Sequence, residues 1–188
     1  MQRLAEKLGA GALPALTSVT LNYMQLGDAG ASALAAALNR GALPRLKHLD
    51  LTRAAIGDAG VVALAPALQR MPFLMQLGLC GNPLGDVGAA ALVAPSPPPA
   101  GAPPTTTGVL TELNHVWLNY TQITDAGCAA LAAALQSGAL PALEILYLWG
   151  TPASESSEVF EATVIEVLES RGVAVLAEAR YRRSVFSF

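Results

Sequence analysis

Residues 13–38 read LPALTSVTLNYMQLGDAGASALAAAL. Leu16, Val19 and Leu21 mark a short apolar strand, Leu26 follows a turn, and Leu34 and Leu38 lie four apart among alanines. The unit is therefore one strand, one turn and one helix. It returns at Leu43 (LPRLKHLDLTRAAIGDAGVVALAPAL), Met71 (MPFLMQLGLCGNPLGDVGAAAL), Leu110 (LTELNHVWLNYTQITDAGCAALAAAL) and Leu140 (LPALEILYLWGTPA). The second strand leucines, Leu21, Leu51, Leu79, Leu118 and Leu148, are 30, 28, 39 and 30 residues apart. A period of this size means stacked units, none of which can bury its apolar face alone. Strands joined by helices should lie parallel, with Leu26, Ile56, Leu84 and Ile123 returning to a shared core.

The chain has 188 residues and suits a single domain over 1–188. Its mean hydropathy of +0.44 raises the question of a membrane span. Long uncharged runs such as 87–111 and 126–143 are broken by proline and glycine, so no spanning helix is expected. A net charge of −3 offers nucleic acid no broad basic face. The first residues, MQRLAEKLGAGAL, lack the uninterrupted apolar run of a secretory signal. Cys80 and Cys128 stand at unrelated places in the repeat, which argues against a disulfide framework and for a reducing, cytoplasmic setting.

Residues 1–12 read as an N-terminal half-repeat cap, because Leu4 and Leu8 match Leu34 and Leu38. Residues 13–152 hold the repeats. A Pro-rich insertion at 95–108 accounts for the long third spacing and cannot form a helix. No Arg or Lys flanks its prolines, so it is read as a bulge rather than a docking segment. Residues 153–188 form a C-terminal cap and tail: a helix within 152–170 ending at Gly172, then a short strand over 173–176.

One acid recurs before each helix, as Asp28, Asp58, Asp86 and Asp125. A helix begins after every one, so these residues are expected to cap it rather than catalyse. Gly30, Gly60, Gly88 and Gly127 are expected to let helix and strand approach closely. Pro66 should kink or shorten the second helix.

The pattern L-x-x-L-x-L-x-x-x-x-L followed by G-D-A-G-x-x-x-L-A-x-A-L resembles leucine-rich repeats of the ribonuclease-inhibitor-like class over roughly residues 4–152. The resemblance implies an α/β leucine-rich repeat solenoid of about five repeats plus caps. Its parallel sheet would line the concave side and its helices the convex side. The class includes Ran GTPase-activating proteins and the sensor regions of NOD-like receptors, so a GTPase regulator or a fragment of a larger receptor is the alternative function. The asparagine that the class places after the strand occurs only as Asn82; Met24, Ala54, Thr121 and Thr151 replace it, which predicts modest stability.

Outward strand positions form columns: Ser18, His48, Gln76, His115, Ile145; then Thr20, Asp50, Gly78, Trp117, Tyr147; then Asn22, Thr52, Cys80, Asn119, Trp149. His115, Trp117, Asn119, Tyr120, Tyr147 and Trp149 gather in the fourth and fifth repeats. Such a cluster is either a partner surface or a seat for the cap or the insertion, and the partner surface is the preferred reading. His48 and His115 share a column without a third ligand, and Cys80 has no base beside it, so neither a metal nor nucleophilic catalysis is expected. The sequence is accordingly read as a non-enzymatic, monomeric module without a cofactor. It would bind a protein or peptide on the concave face.

Overall fold

The sequence folds as parallel coils stacked side by side, each adding one strand to a common sheet and one helix behind it. The computed structural model describes residues 14–94, 110–153, 169–170 and 172–176. Six strands stand in sequence order: β1 (Ser18–Thr20), β2 (His48–Asp50), β3 (Gln76–Gly78), β4 (His115–Trp117), β5 (Ile145–Tyr147) and β6 (Ala174–Leu176). All five pairings are parallel and in register, from Val19 opposite Leu49 to Leu146 opposite Val175. Among the described residues four helices follow the first four strands: α1 (Gly27–Asn39), α2 (Asp58–Leu68), α3 (Asp86–Val93) and α4 (Asp125–Gln136).

Each strand is three residues long, shorter than the six-residue segments such as 16–21 expected from the pattern. The chain turns away soon after the second leucine. The turning residues are Tyr23, Arg53, Gly81, Tyr120 and Gly150, with φ of 58°, 53°, 65°, 55° and 67°. This left-handed corner recurs three residues past the end of each of the first five strands.

Between sheet and helices runs one apolar spine. Leu46, Leu74, Leu113 and Leu143 stack from coil to coil, as do Leu49, Leu77, Val116 and Leu146, and all are buried. Leu26, Ile56, Leu84 and Ile123 join them from the turns, and Leu34, Leu64, Leu68, Leu92, Leu131 and Leu135 from the helices. Buried alanines, among them Ala31, Ala65 and Ala89, let the helices lie close together. Pro66 does not break α2, which continues to Leu68. A proline near a helix C-terminus removes only one late hydrogen bond.

Three of the four recurring aspartates cap a different helix from the one expected, whereas Asp125 Oδ1 is buried without a hydrogen-bond partner. Asp28 Oδ1 accepts from the backbone N–H of Gly57 (2.7 Å) and Gly60 (3.0 Å), both in the next coil. Asp58 does the same for Gly85 (2.7 Å) and Gly88 (2.8 Å). Asp86 accepts from the N–H of Thr124 (2.8 Å) and from its hydroxyl (2.7 Å). Gly57 and Gly85 are the N-cap residues of α2 and α3, so each carboxylate caps the following repeat's helix across the stack. This also changes the role of Gly60, Gly88 and Gly127, whereas Gly30 abuts the Leu26 side chain. A Cβ at Gly60 would lie 2.6 Å from Asp28 Oδ1, and one at Gly88 2.7 Å from Asp58 Oδ1. The missing side chain makes room for the neighbour's carboxylate.

Asn82 serves the same purpose at the turns. Its oxygen accepts from Ala54 N and Ile56 N (both 3.0 Å), and its amide donates to Leu51 O (2.8 Å) and Leu79 O (2.9 Å). Thr121 and Thr151 donate instead to the carbonyls of Leu118 and Leu148 in their own coils (2.8 Å each). The last strand expected over 173–176 forms at Ala174–Leu176. The half-repeat cap at 1–12, the insertion at 95–108, most of the cap helix within 152–170 and the tail beyond 176 lie outside the described residues.

Candidate functional site

Because the strands pair in register, the outward columns inferred from sequence become straight rows across the sheet. One row is Thr20, Asp50, Gly78, Trp117 and Tyr147; the row beside it is Ser18, His48, Gln76, His115 and Ile145. Past the strand ends the ladder continues, with Tyr23 N bonded to Thr52 O, Arg53 N to Cys80 O, Gly81 N to Asn119 O and Tyr120 N to Trp149 O (2.8–2.9 Å). Asn22, Thr52, Cys80, Asn119 and Trp149 therefore form a third row.

The aromatic residues separate into two groups. Trp117 stacks on Tyr147 with ring centroids 5.4 Å apart and planes 11° apart, and His115 stacks on Trp117 at 5.6 Å and 16°. These three are half-buried. Tyr120 and Trp149 form the second group at 5.1 Å, tilted by 54°, and remain 50% and 42% exposed. Asn119 ties the two strands: its Oδ1 accepts from Trp149 N (2.9 Å), while its Nδ2 points at Cys80 Sγ (3.7 Å). His115 Nδ1 lies 2.9 Å from Asn114 Oδ1, which sets the ring's orientation.

The corner residues add a further exposed line. Arg53 lies over the Tyr23 ring, 5.4 Å from its centroid. A Cβ on Gly81 would meet Arg53 at 2.7 Å, and one on Gly150 would meet the Tyr120 ring at 2.5 Å. Large side chains at the corners of coils two and four thus rest on glycines at the corners of the next coils. Tyr23, Arg53 and Tyr120 hold a left-handed backbone that costs a non-glycine residue roughly 1–2 kcal/mol.

A feature absent from the sequence reading is a groove of about 440 Å³ on the same sheet face. Its lining includes Thr20, His48, Asp50, Gly78, Cys80 and Trp117. The signal available in the sequence was Gly78, a residue without a side chain between Asp50 and Trp117 in a row of otherwise larger residues. Asp50 is fixed by three donors: Asn22 Nδ2 (2.8 Å), Thr52 N (3.0 Å) and Thr52 Oγ1 (2.6 Å).

His48 and His115 flank Gln76 in register, as the columns require. Among the described residues no three His, Cys, Asp or Glu side chains are placed to share a metal ion. No helix among them is long and apolar enough to cross a membrane. Both cysteines are free thiols. Burial raises the Cys80 thiol above its ordinary value, against hydrogen bonds from Asn119. Burial, followed by the charges of Asp125 and Asp86, pushes Cys128 up to about 12. Neither environment promotes the thiolate that nucleophilic chemistry requires.

Comparison with known proteins agrees with this geometry. The Leucine Rich repeat family matches residues 43–65, the stretch from the loop before β2 into α2. A search of curated proteins finds no match. Among solved structures, the tropomodulin C-terminal domain from Caenorhabditis elegans is similar in fold, with a TM-score of 0.63 and 16% identity. That similarity covers 100% of this chain and 98% of the other. The strand–turn–helix period and the in-register parallel sheet, together with the family match over one repeat, give this chain the fold of a leucine-rich repeat solenoid.

Proposed function

We propose that the chain is a non-enzymatic protein-interaction module that holds a protein or peptide against the outward face of its sheet. The contact surface is His115, Trp117, Asn119, Tyr120, Tyr147 and Trp149. The observation that carries this reading is the convergence of five rings from two adjacent coils, with Tyr120 and Trp149 substantially exposed. Aromatic side chains bury large areas at low entropic cost, and interface hot spots are enriched in them. The presence of a helix in each of four coils supports the ribonuclease-inhibitor-like subclass. Two free thiols favour a reducing compartment such as the cytoplasm.

The test is quantitative capture from a cell lysate by the wild-type chain and by a Trp117→Ala/Trp149→Ala variant of unchanged circular dichroism, followed by mass spectrometry. The variant should lose the captured partner by about tenfold or more. Equal capture by both would overturn the assigned surface.

A further inference from the structure

We propose that the groove over Gly78 receives one cationic side chain, an arginine or lysine of a bound polypeptide, between the Asp50 carboxylate and the Trp117 indole. The proposal rests on the polypeptide-binding reading above and names what the partner must carry.

Three observations converge on this assignment. First, Asp50, Gly78 and Trp117 are consecutive in one in-register row. Adjacent strands are about 4.8 Å apart, so the Asp50 and Trp117 backbones are roughly 10 Å apart with no side chain between them. Tyr147 and His115 both stack on the Trp117 ring, and the indole lines the groove on the side where Gly78 has no side chain. A cation over a tryptophan face is attracted by the ring quadrupole, most strongly where water is partly excluded.

Second, the carboxylate is aimed at that space. A Cβ on Gly78 would stand 2.6 Å from Asp50 Oδ1, so Asp50 leans over the glycine into the groove. Its three donors lock the orientation and leave acceptor capacity, because an ionised carboxylate offers about four lone-pair sites. The Asn22 amide oxygen beside it is also buried without a donor, so the neighbourhood is rich in acceptors.

Third, charge complementarity selects the occupant. Counting Asp, Glu, Lys and Arg, Asp50 is the only such residue in the three outward rows of the first five strands. Among the described residues no Lys or Arg lines the groove, and the corner cation Arg53 lies over Tyr23 instead. A neutral or anionic group entering here would meet an unneutralised carboxylate; a guanidinium or ammonium satisfies carboxylate and indole together.

The experiment is an NMR titration of the full chain, following the Trp117 indole N–H resonance. The probes are capped glycine-rich peptides with a central arginine, lysine or citrulline, the last having arginine's shape without its charge. The arginine and lysine peptides should shift the Trp117 resonance saturably, and citrulline should not. Asp50→Asn should weaken the arginine peptide by about tenfold, and Gly78→Val should abolish binding by filling the groove. Both variants should keep the amide dispersion of the folded protein; if Gly78→Val unfolds, Asp50→Asn and citrulline still decide.

Equal binding of citrulline and arginine would overturn the proposal, as would the absence of a Trp117 shift with every probe. The outcomes also separate this inference from the broader reading. A lysate partner lost by Trp117→Ala/Trp149→Ala but retained at full affinity by Asp50→Asn would leave the aromatic surface standing and sink the cation site. Saturable arginine binding with unchanged lysate capture by the double variant would do the reverse.

Discussion

Asp58 shows how one side chain can carry the link between coils. It sits at the start of α2 yet bonds the N–H groups of Gly85 and Gly88, the N-cap and third residue of α3. Asp58→Ala should cost about 1–2 kcal/mol, since it removes a cap shared by two buried or half-buried donors. Gly88→Ala should also destabilise, although alanine is the better helix former by about 1 kcal/mol, because its Cβ would press on Asp58 Oδ1. In the Asp58→Ala background that obstacle is gone, and Gly88→Ala should become neutral or stabilising. Urea denaturation of the four proteins measures the coupling; simple additivity would show that carboxylate and glycine are not paired.

At the scale of the element, the turns following β2 and β3 depend on Asn82. Its side chain serves the backbones of residues 51, 54, 56 and 79, all in or beside short strands with few bonds of their own. Asn82→Ala strands buried donors and acceptors on two coils and should cost about 3 kcal/mol or more, read from the denaturation midpoint. Thr121→Ala removes a single hydroxyl bond to Leu118 O and should cost closer to about 1 kcal/mol. Comparable losses for the two variants would show that the asparagine is not the stronger joint. The left-handed corners belong to this scale as well. Their recurrence at Tyr23, Arg53, Gly81, Tyr120 and Gly150 turns the first five coils away from the sheet at the same register.

For the whole molecule, the shared spine makes Cys128 a reporter of global unfolding. The unfolded thiol ionises near 9.0, whereas the folded thiol keeps its proton up to about 12, chiefly because it is buried. The folded state therefore binds more protons between these values. This contribution is complete below pH 9 and is lost as pH rises from 9 toward 12. The difference in stability between wild type and Cys128→Ala should shrink across that window, and a constant difference would refute the linkage. At neutral pH an alkylating reagent should modify the half-buried Cys80 first and Cys128 only as fast as the protein opens.

The leucine period alone determined the architecture: strands in parallel, one helix per coil, and the inward faces that became the spine. It did so because spacing decides which side chains share a face before any contact is made. The same alternation placed His115, Trp117, Asn119, Tyr147 and Trp149 on the outward side, with Tyr120 beside them at the corner, and it left the use of that surface open. Three things waited for the tertiary structure. The aspartates cap the next helix, because the distance from Asp28 to Gly57 is a matter of stacking, not of chain neighbours. The chain leaves the sheet at left-handed corners, three residues past the end of each of the first five strands. The groove beside Asp50 exists because Gly78 stands between two larger residues on different strands, an adjacency that only in-register pairing creates.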